Sequence, residues 1–154
     1  YDHNYNGTNR VLRCLGDAEL MKNVGGIAWH PYEGEPEWIA PLKAEFPDQQ
    51  IVLLTPIHRA YAKFDERNVQ PDESYANELG LFIDDYVRVV KEAGNIWAVP
   101  VVDLNALTGL YPNADGQAVY FHDEKTDRLH PSAEGHRRIA EVLAPWLGGR
   151  PNML

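Results

Sequence analysis

Sulfur chemistry is nearly absent from this chain of 154 residues: Cys14 is its sole cysteine, so no internal disulfide framework can staple the fold. Serine is almost as scarce. The chain has only Ser74 and Ser132, and neither stands in a nucleophile-like context. No apolar run approaches the roughly 18–20 residues of a transmembrane helix. Basic residues are outnumbered, with 14 Lys and Arg against 23 Asp and Glu, a net charge of −9. That balance leaves no basic face for nucleic-acid phosphates and disfavours adsorption to anionic membrane, so neither is expected as a partner. What remains is 44% hydrophobic and 24% charged, with four Trp and eight Tyr, a globular composition of one domain's length. The compartment stays open.

Residues 1–9 are polar and read as a loop that begins in mid-structure. The expectation is that residues 1–154 are the C-terminal part of a single domain whose N-terminal part is not included. Residues 1–34 read as long loops with a short helix around Ala18–Lys22. A helix is expected from about Glu37 to Phe46, with Trp38, Ile39, Leu42 and Phe46 on one face. Ile51-Val-Leu-Leu-Thr55 reads as a strand covered on both faces, and residues 60–80 as a polar loop. A helix over about Leu81–Ala98 carries Ile83, Val87, Val90, Gly94 and Trp97 at helical steps, and Val99–Asp103 is a second buried strand. The last helix, about Ser132–Leu147, is capped by Ser132 and ended by Gly148-Gly149. This order is that of an α/β fold with a parallel sheet. Two strands are few for such a sheet, so the missing strands are expected upstream and the isolated chain is not expected to fold stably.

In open parallel sheets the ligand crevice lies beyond the carboxyl ends of the strands. Thr55-Pro56-Ile57-His58-Arg59, Asp103-Leu104-Asn105 and Asp127-Arg128-Leu129-His130 all arrive there. A carboxylate three residues ahead of a histidine can hold the imidazole across a short turn, fixing its tautomer and supporting the charge it gains as a base. Asp127 and His130 are therefore the candidate catalytic pair, against a plain surface turn with a capping carboxylate. His58 and Arg59 either contact substrate or pin the loop that follows. Asp103 reads as a backbone-bonding residue, His136 as a structural histidine buried near the last helix, and Cys14 as a buried thiol. Asp2, His3, His30 and His122 lack close ligand spacing, and no metal site is expected.

Three blocks, Ile51-Val-Leu-Leu-Thr-Pro-Ile-His-Arg59, Ala98-Val-Pro-Val-Val-Asp-Leu104 and Asp127-Arg-Leu-His-Pro131 followed by Ser-Ala-Glu-Gly-His136, resemble in their order the SGNH (GDSL-like) esterases and acyl hydrolases. The resemblance covers roughly residues 37–147. It implies a flavodoxin-like three-layer α/β/α sandwich, no cofactor, and a Ser-His-Asp triad in which His130 is the general base and Asp127 its orienting acid. It also places the nucleophilic Ser, in a Gly-Asp-Ser segment, upstream of residue 1. An asparagine would complete the oxyanion hole: Asn9 matches the Gly-x-Asn letters but is followed by Arg10 where Asp is common, and Asn4 is the alternative. The implied partners are a small-molecule or carbohydrate ester, with acetyl or another short acyl group, and the N-terminal part of the same domain. Trp29, Tyr32 and Trp38 suit either sugar stacking or packing. The competing reading is a non-catalytic binding module of the same fold.

Overall fold

The computed structural model describes residues 2–4, 13, 16–21, 28–30, 40, 43–44, 47–48 and 50–147. The chain divides into two compact units, Tyr1–Ile51 and Val52–Leu154. The first contains β1 (Asp2–Asn4), α1 (Ala18–Met21) and β2 (Ala28–His30). β1 and β2 are parallel, with Asp2, His3 and Asn4 opposite Ala28, Trp29 and His30. The expected short helix falls where the sequence puts it, with the Asp17 carboxylate accepting the Glu19 N–H at 3.0 Å at its start. Of the helix expected over 37–46, residues 40, 43 and 44 are helical and the others lie outside the described residues.

The second unit is built around another parallel pair, β3 (Leu53–Leu54) and β6 (Val101–Val102). Leu53 N donates to Pro100 O at 2.9 Å and Thr55 N to Val102 O at 3.2 Å. Between them runs α2 (Ile83–Trp97), which turns Ile83, Val87 and Gly94 inward as its helical spacing requires. Its first turn is closed by the Asp85 carboxylate, which accepts the Phe82 N–H at 3.0 Å. Its end is closed by Val99 N donating back to Gly94 O at 2.9 Å, with Ala98 in the left-handed region (φ 49°). Mixed α/β architecture with parallel strands is what the apolar runs imply. The expectation of a strand covered on both faces is corrected for β3, where Leu54 is 43% exposed.

After β6 come α3 (Leu104–Leu107), a 3-10 turn at Ala118–Tyr120, β7 (Phe121–Asp123), β8 (Asp127–Pro131) and α4 (Ala133–Leu147). β7 and β8 form an antiparallel hairpin. Ile83, Val87, Val99, Val102, Leu104, Leu110 and Phe121 form the buried apolar core. On α4, Ile139, Val142 and Leu143 of the expected stripe are half-buried and Trp146 is exposed.

Two further expectations are corrected. The segment 60–80 is not simply a polar loop, because it contains the antiparallel strands β4 (Ala62–Asp65) and β5 (Asn68–Gln70). Ala-Lys-Phe-Asp has little strand propensity of its own; the pairing is set by the Asp65 carboxylate, which turns the chain by accepting the Arg67 N–H at 2.7 Å. His136 is exposed rather than buried, with Nδ1 at 2.9 Å from Ser132 O.

Candidate active site

Asp127 and His130 lie on β8, which is where their contact needs explaining. Three residues of regular strand span about 10 Å, too far for the two side chains to meet. The hairpin is irregular at this point. Phe121 pairs with Pro131 and Asp123 with Asp127, so two steps along β7 are matched by four along β8. The surplus is folded into a tight turn by Asp127 itself, whose Oδ1 accepts the backbone N–H of Leu129 at 3.1 Å and of His130 at 3.0 Å. The turn swings the imidazole back over the carboxylate, and Nδ1 sits 2.9 Å from Oδ2 and 3.1 Å from Oδ1.

A charged carboxylate only accepts hydrogen bonds, so Nδ1 carries the proton and Nε2 is left with its lone pair. Burial works against the Asp127 charge, but the His130 N–H, the His130 ring and the Leu129 N–H outweigh it, and the carboxyl is held below its ordinary range. The pair is asymmetric in exposure: the His130 side chain is 62% exposed and that of Asp127 26%. A charged, largely covered orienting acid behind an accessible imidazole is an arrangement suited to general-base chemistry.

The surrounding chain fixes this turn. Ser132 is committed to structure: its hydroxyl donates to Val119 O at 2.7 Å and accepts the Gly135 N–H at 3.2 Å, capping α4. Ala60 N donates to Arg128 O at 3.0 Å, which ties the segment after β3 to β8, and Arg128 donates to Pro112 O at 3.1 Å. Just upstream, His58 Nδ1 pairs with Glu73, and its ring meets Tyr111 edge-on with centroids 5.1 Å apart. Arg59 donates from Nε to Pro71 O at 3.3 Å. Both residues thus bind the loop that follows, one of the two roles their position allows.

Asp103, at the end of β6, caps α3 by accepting the Ala106 N–H at 3.2 Å, accepts the Thr55 hydroxyl at 3.0 Å and pairs with Lys91. Burial again opposes the charge, and these partners hold the carboxyl below its usual range. Asp103→Ala would leave the buried Thr55 hydroxyl without its acceptor and uncap α3. The expected loss is about 2–3 kcal/mol, read as a lower urea midpoint with an unchanged slope.

The backbone of Asn4 lies in β1, opposite His30. Asn9 lies outside the described residues, as does Cys14. Among the described residues no group of three or more His, Cys, Asp or Glu is placed to hold a metal, and no helix is long and apolar enough to cross a membrane. Sequence reasoning missed Asp72, a buried carboxylate that accepts the N–H groups of Ser74 and Tyr75 at 2.7 Å and of Tyr61 at 3.1 Å. An Asp followed two residues later by Ser in a Pro-containing loop was its one visible signal.

No family model matches the chain, and no curated protein matches it in sequence. Solved structures do match. One is 29% identical at a TM-score of 0.60, over 73% of this chain and 49% of its own. A possible lipase from Chitinophaga pinensis is 23% identical at a TM-score of 0.50, over 72% and 57%. The lipase/acylhydrolase from Enterococcus faecalis is 17% identical at a TM-score of 0.53, over 93% and 72%. The chain spans about half the length of the first of these. At such identities the likeness is one of fold.

Proposed function

We propose that this chain, which has the fold of lipases and acylhydrolases of the SGNH type, is the C-terminal part of a serine esterase. Its substrate would be an ester of acetyl or another short acyl group, on a small alcohol or a carbohydrate. The observation that carries the proposal is the Asp127–His130 pair, with Nδ1 held at 2.9 Å and the accessible imidazole left to act through Nε2.

In this reading a serine from outside these residues attacks the ester carbonyl. His130 Nε2 takes the hydroxyl proton and returns it to the departing alcohol, while Asp127 stabilises the imidazolium. Water, activated by the same imidazole, then releases the acid. The amide of Asn4 or Asn9 would donate to the oxyanion, a contact typically worth about 10²–10³ in rate. An external nucleophile is favoured because the Ser132 hydroxyl is already engaged at both ends and Ser74 stands in no nucleophile-like context. The remaining strands of a three-layer sandwich would come from the same N-terminal part, and residues 1–154 alone are expected to be inactive.

Hydrolysis of p-nitrophenyl acetate by the full-length protein, with covalent capture by a fluorophosphonate, tests the proposal. Turnover and stoichiometric labelling are expected. Failure of both, across short esters, would favour a binding module of the same fold.

A further inference from the structure

Two residues before His130, Arg128 is held at both ends. Its carbonyl accepts the Ala60 N–H at 3.0 Å, and its Nη1 donates to Pro112 O at 3.1 Å. The residue is half-buried, and among the described residues it has no carboxylate partner. We propose that the open edge of this guanidinium binds a carboxylate carried by the ester, so that the substrate is an acid-bearing ester rather than a wholly neutral one. The inference deepens the esterase reading and rests on it for its link to hydrolysis, but not for the anion site itself.

The unpaired charge is the first ground. Acids outnumber bases by 23 to 14 in the chain, and the exposed Arg88, Arg137 and Arg138 each pair with a carboxylate of their own helix. Arg128 is better covered than these, yet its one hydrogen-bond acceptor is a neutral carbonyl. A guanidinium taken partly out of water without an anion is costly. The next residue along the chain, Asp127, is already committed, because it accepts the Leu129 N–H, the His130 N–H and the imidazole N–H.

Geometry is the second. The bond to Pro112 O uses one of five N–H donors and leaves Nε and Nη2 without a hydrogen bond. The N–H groups of that edge run parallel and take a carboxylate through two bonds at once. Ties behind the guanidinium keep the edge in place. Pro112 is fully buried, and the ring of Tyr111 before it meets His58 edge-on at 5.1 Å, while Glu73 holds His58. Arg128 and His130 are two steps apart in the chain, with Cα atoms no more than about 7 Å apart. A carboxylate on Arg128 thus keeps an ester a few bonds away in the neighbourhood of the imidazole. The net charge of −9 does not bar an anion, since charges beyond about 8–10 Å are largely screened at physiological salt.

The test pairs binding with discrimination. Glutarate is titrated into the full-length protein while the arginine Nε–H resonances are followed by NMR, with glutaramide as the neutral control. Hydrolysis is then compared within two matched pairs, acetoxyacetate against acetoxyacetamide and monoethyl succinate against ethyl succinamate. The first pair carries the anion on the alcohol side and the second on the acyl side. Arg128→Gln can keep the bond to Pro112 O without the charge, and Arg128→Lys keeps the charge without the paired edge. One Nε–H resonance, absent from both variants, is expected to move with glutarate and not with glutaramide. The wild type should prefer the carboxylate ester in at least one pair, and Arg128→Gln should lower that preference about thirtyfold, Arg128→Lys by less. No such resonance shift, no preference in either pair, or an equal loss on both members of a pair in Arg128→Gln would overturn the anion site and leave Arg128 as a tie to Pro112. A wild type that binds glutarate through Arg128 but hydrolyses no ester would support the anion site and remove the esterase reading instead.

Discussion

His130→Ala is expected to lower kcat for p-nitrophenyl acetate by on the order of 10⁴-fold in the full-length protein, with little change in KM. The loss has a definite physical origin. A serine hydroxyl is a poor nucleophile unless its proton leaves as the bond to the carbonyl forms, and the imidazole is the group positioned to take it. Asp127→Asn should be nearly as damaging, although it alters few atoms. The carboxylate oxygens now accept the Leu129 N–H, the His130 N–H and the ring N–H together. An amide offers only one accepting oxygen. With its NH2 toward the ring, it would favour the tautomer in which Nε2 carries the proton, and the base would be lost. If His130→Ala keeps its rate within tenfold of the wild type, the imidazole is not the base and the catalytic assignment of the Asp127–His130 pair falls.

The pH dependence follows from the same contacts. The Asp127 carboxyl is held below its ordinary range by the His130 N–H, the His130 ring and the Leu129 N–H, so the orienting carboxylate stays charged to lower pH than an ordinary carboxyl would. The sign for stability agrees. A carboxyl whose folded-state pKa is depressed contributes stability that is complete above its unfolded value, and that is lost as pH falls through the lower, folded one. Asp127→Asn should therefore cost stability at neutral pH and little in strong acid.

The second large effect is structural, and it runs against helix propensity. Gly135 lies in the first turn of α4, where Ala would ordinarily be better by about 0.5–1 kcal/mol. Here a Cβ would stand 2.1 Å from Tyr120 O and 3.0 Å from Pro131 Cβ. The first is a backbone oxygen that cannot rotate away, and it already accepts the Ser132 N–H at 2.9 Å. Gly135→Ala is therefore expected to destabilise the protein by about 3 kcal/mol and to disturb the junction that carries His130. Urea denaturation gives the stability, and the p-nitrophenyl acetate rate gives the site geometry. An unchanged or raised urea midpoint would mean that α4 does not approach Tyr120 so closely.

Much of the site's content was legible in one dimension. Asp127 and His130 stand out by residue type and spacing, and Asp103 as a backbone-bonding carboxylate at a strand end. His58 and Arg59 were placed correctly after β3, but the choice between loop anchor and substrate contact hung on Glu73, 15 residues from His58 in sequence. Asp72 went unnoticed for the same reason, since its partner Tyr61 lies on the other side of the β4–β5 hairpin. The exposed position of His136 also escaped the sequence, because helical spacing puts it in line with Ile139 and Leu143 of the apolar stripe.

The sequence by itself determined the α/β class, the positions of α2 and α4, and the apolar runs that pair as β3 and β6. These follow from hydrophobic period and from capping residues, which act over a few neighbours. Only the tertiary structure decided that β8 takes four steps where β7 takes two, and so that Asp127 reaches His130. It alone decided that Gly135 must be bare and that Tyr61 and Tyr75 share one buried carboxylate. Each of these depends on groups brought together across the fold, where contact distance rather than chain order governs the energy.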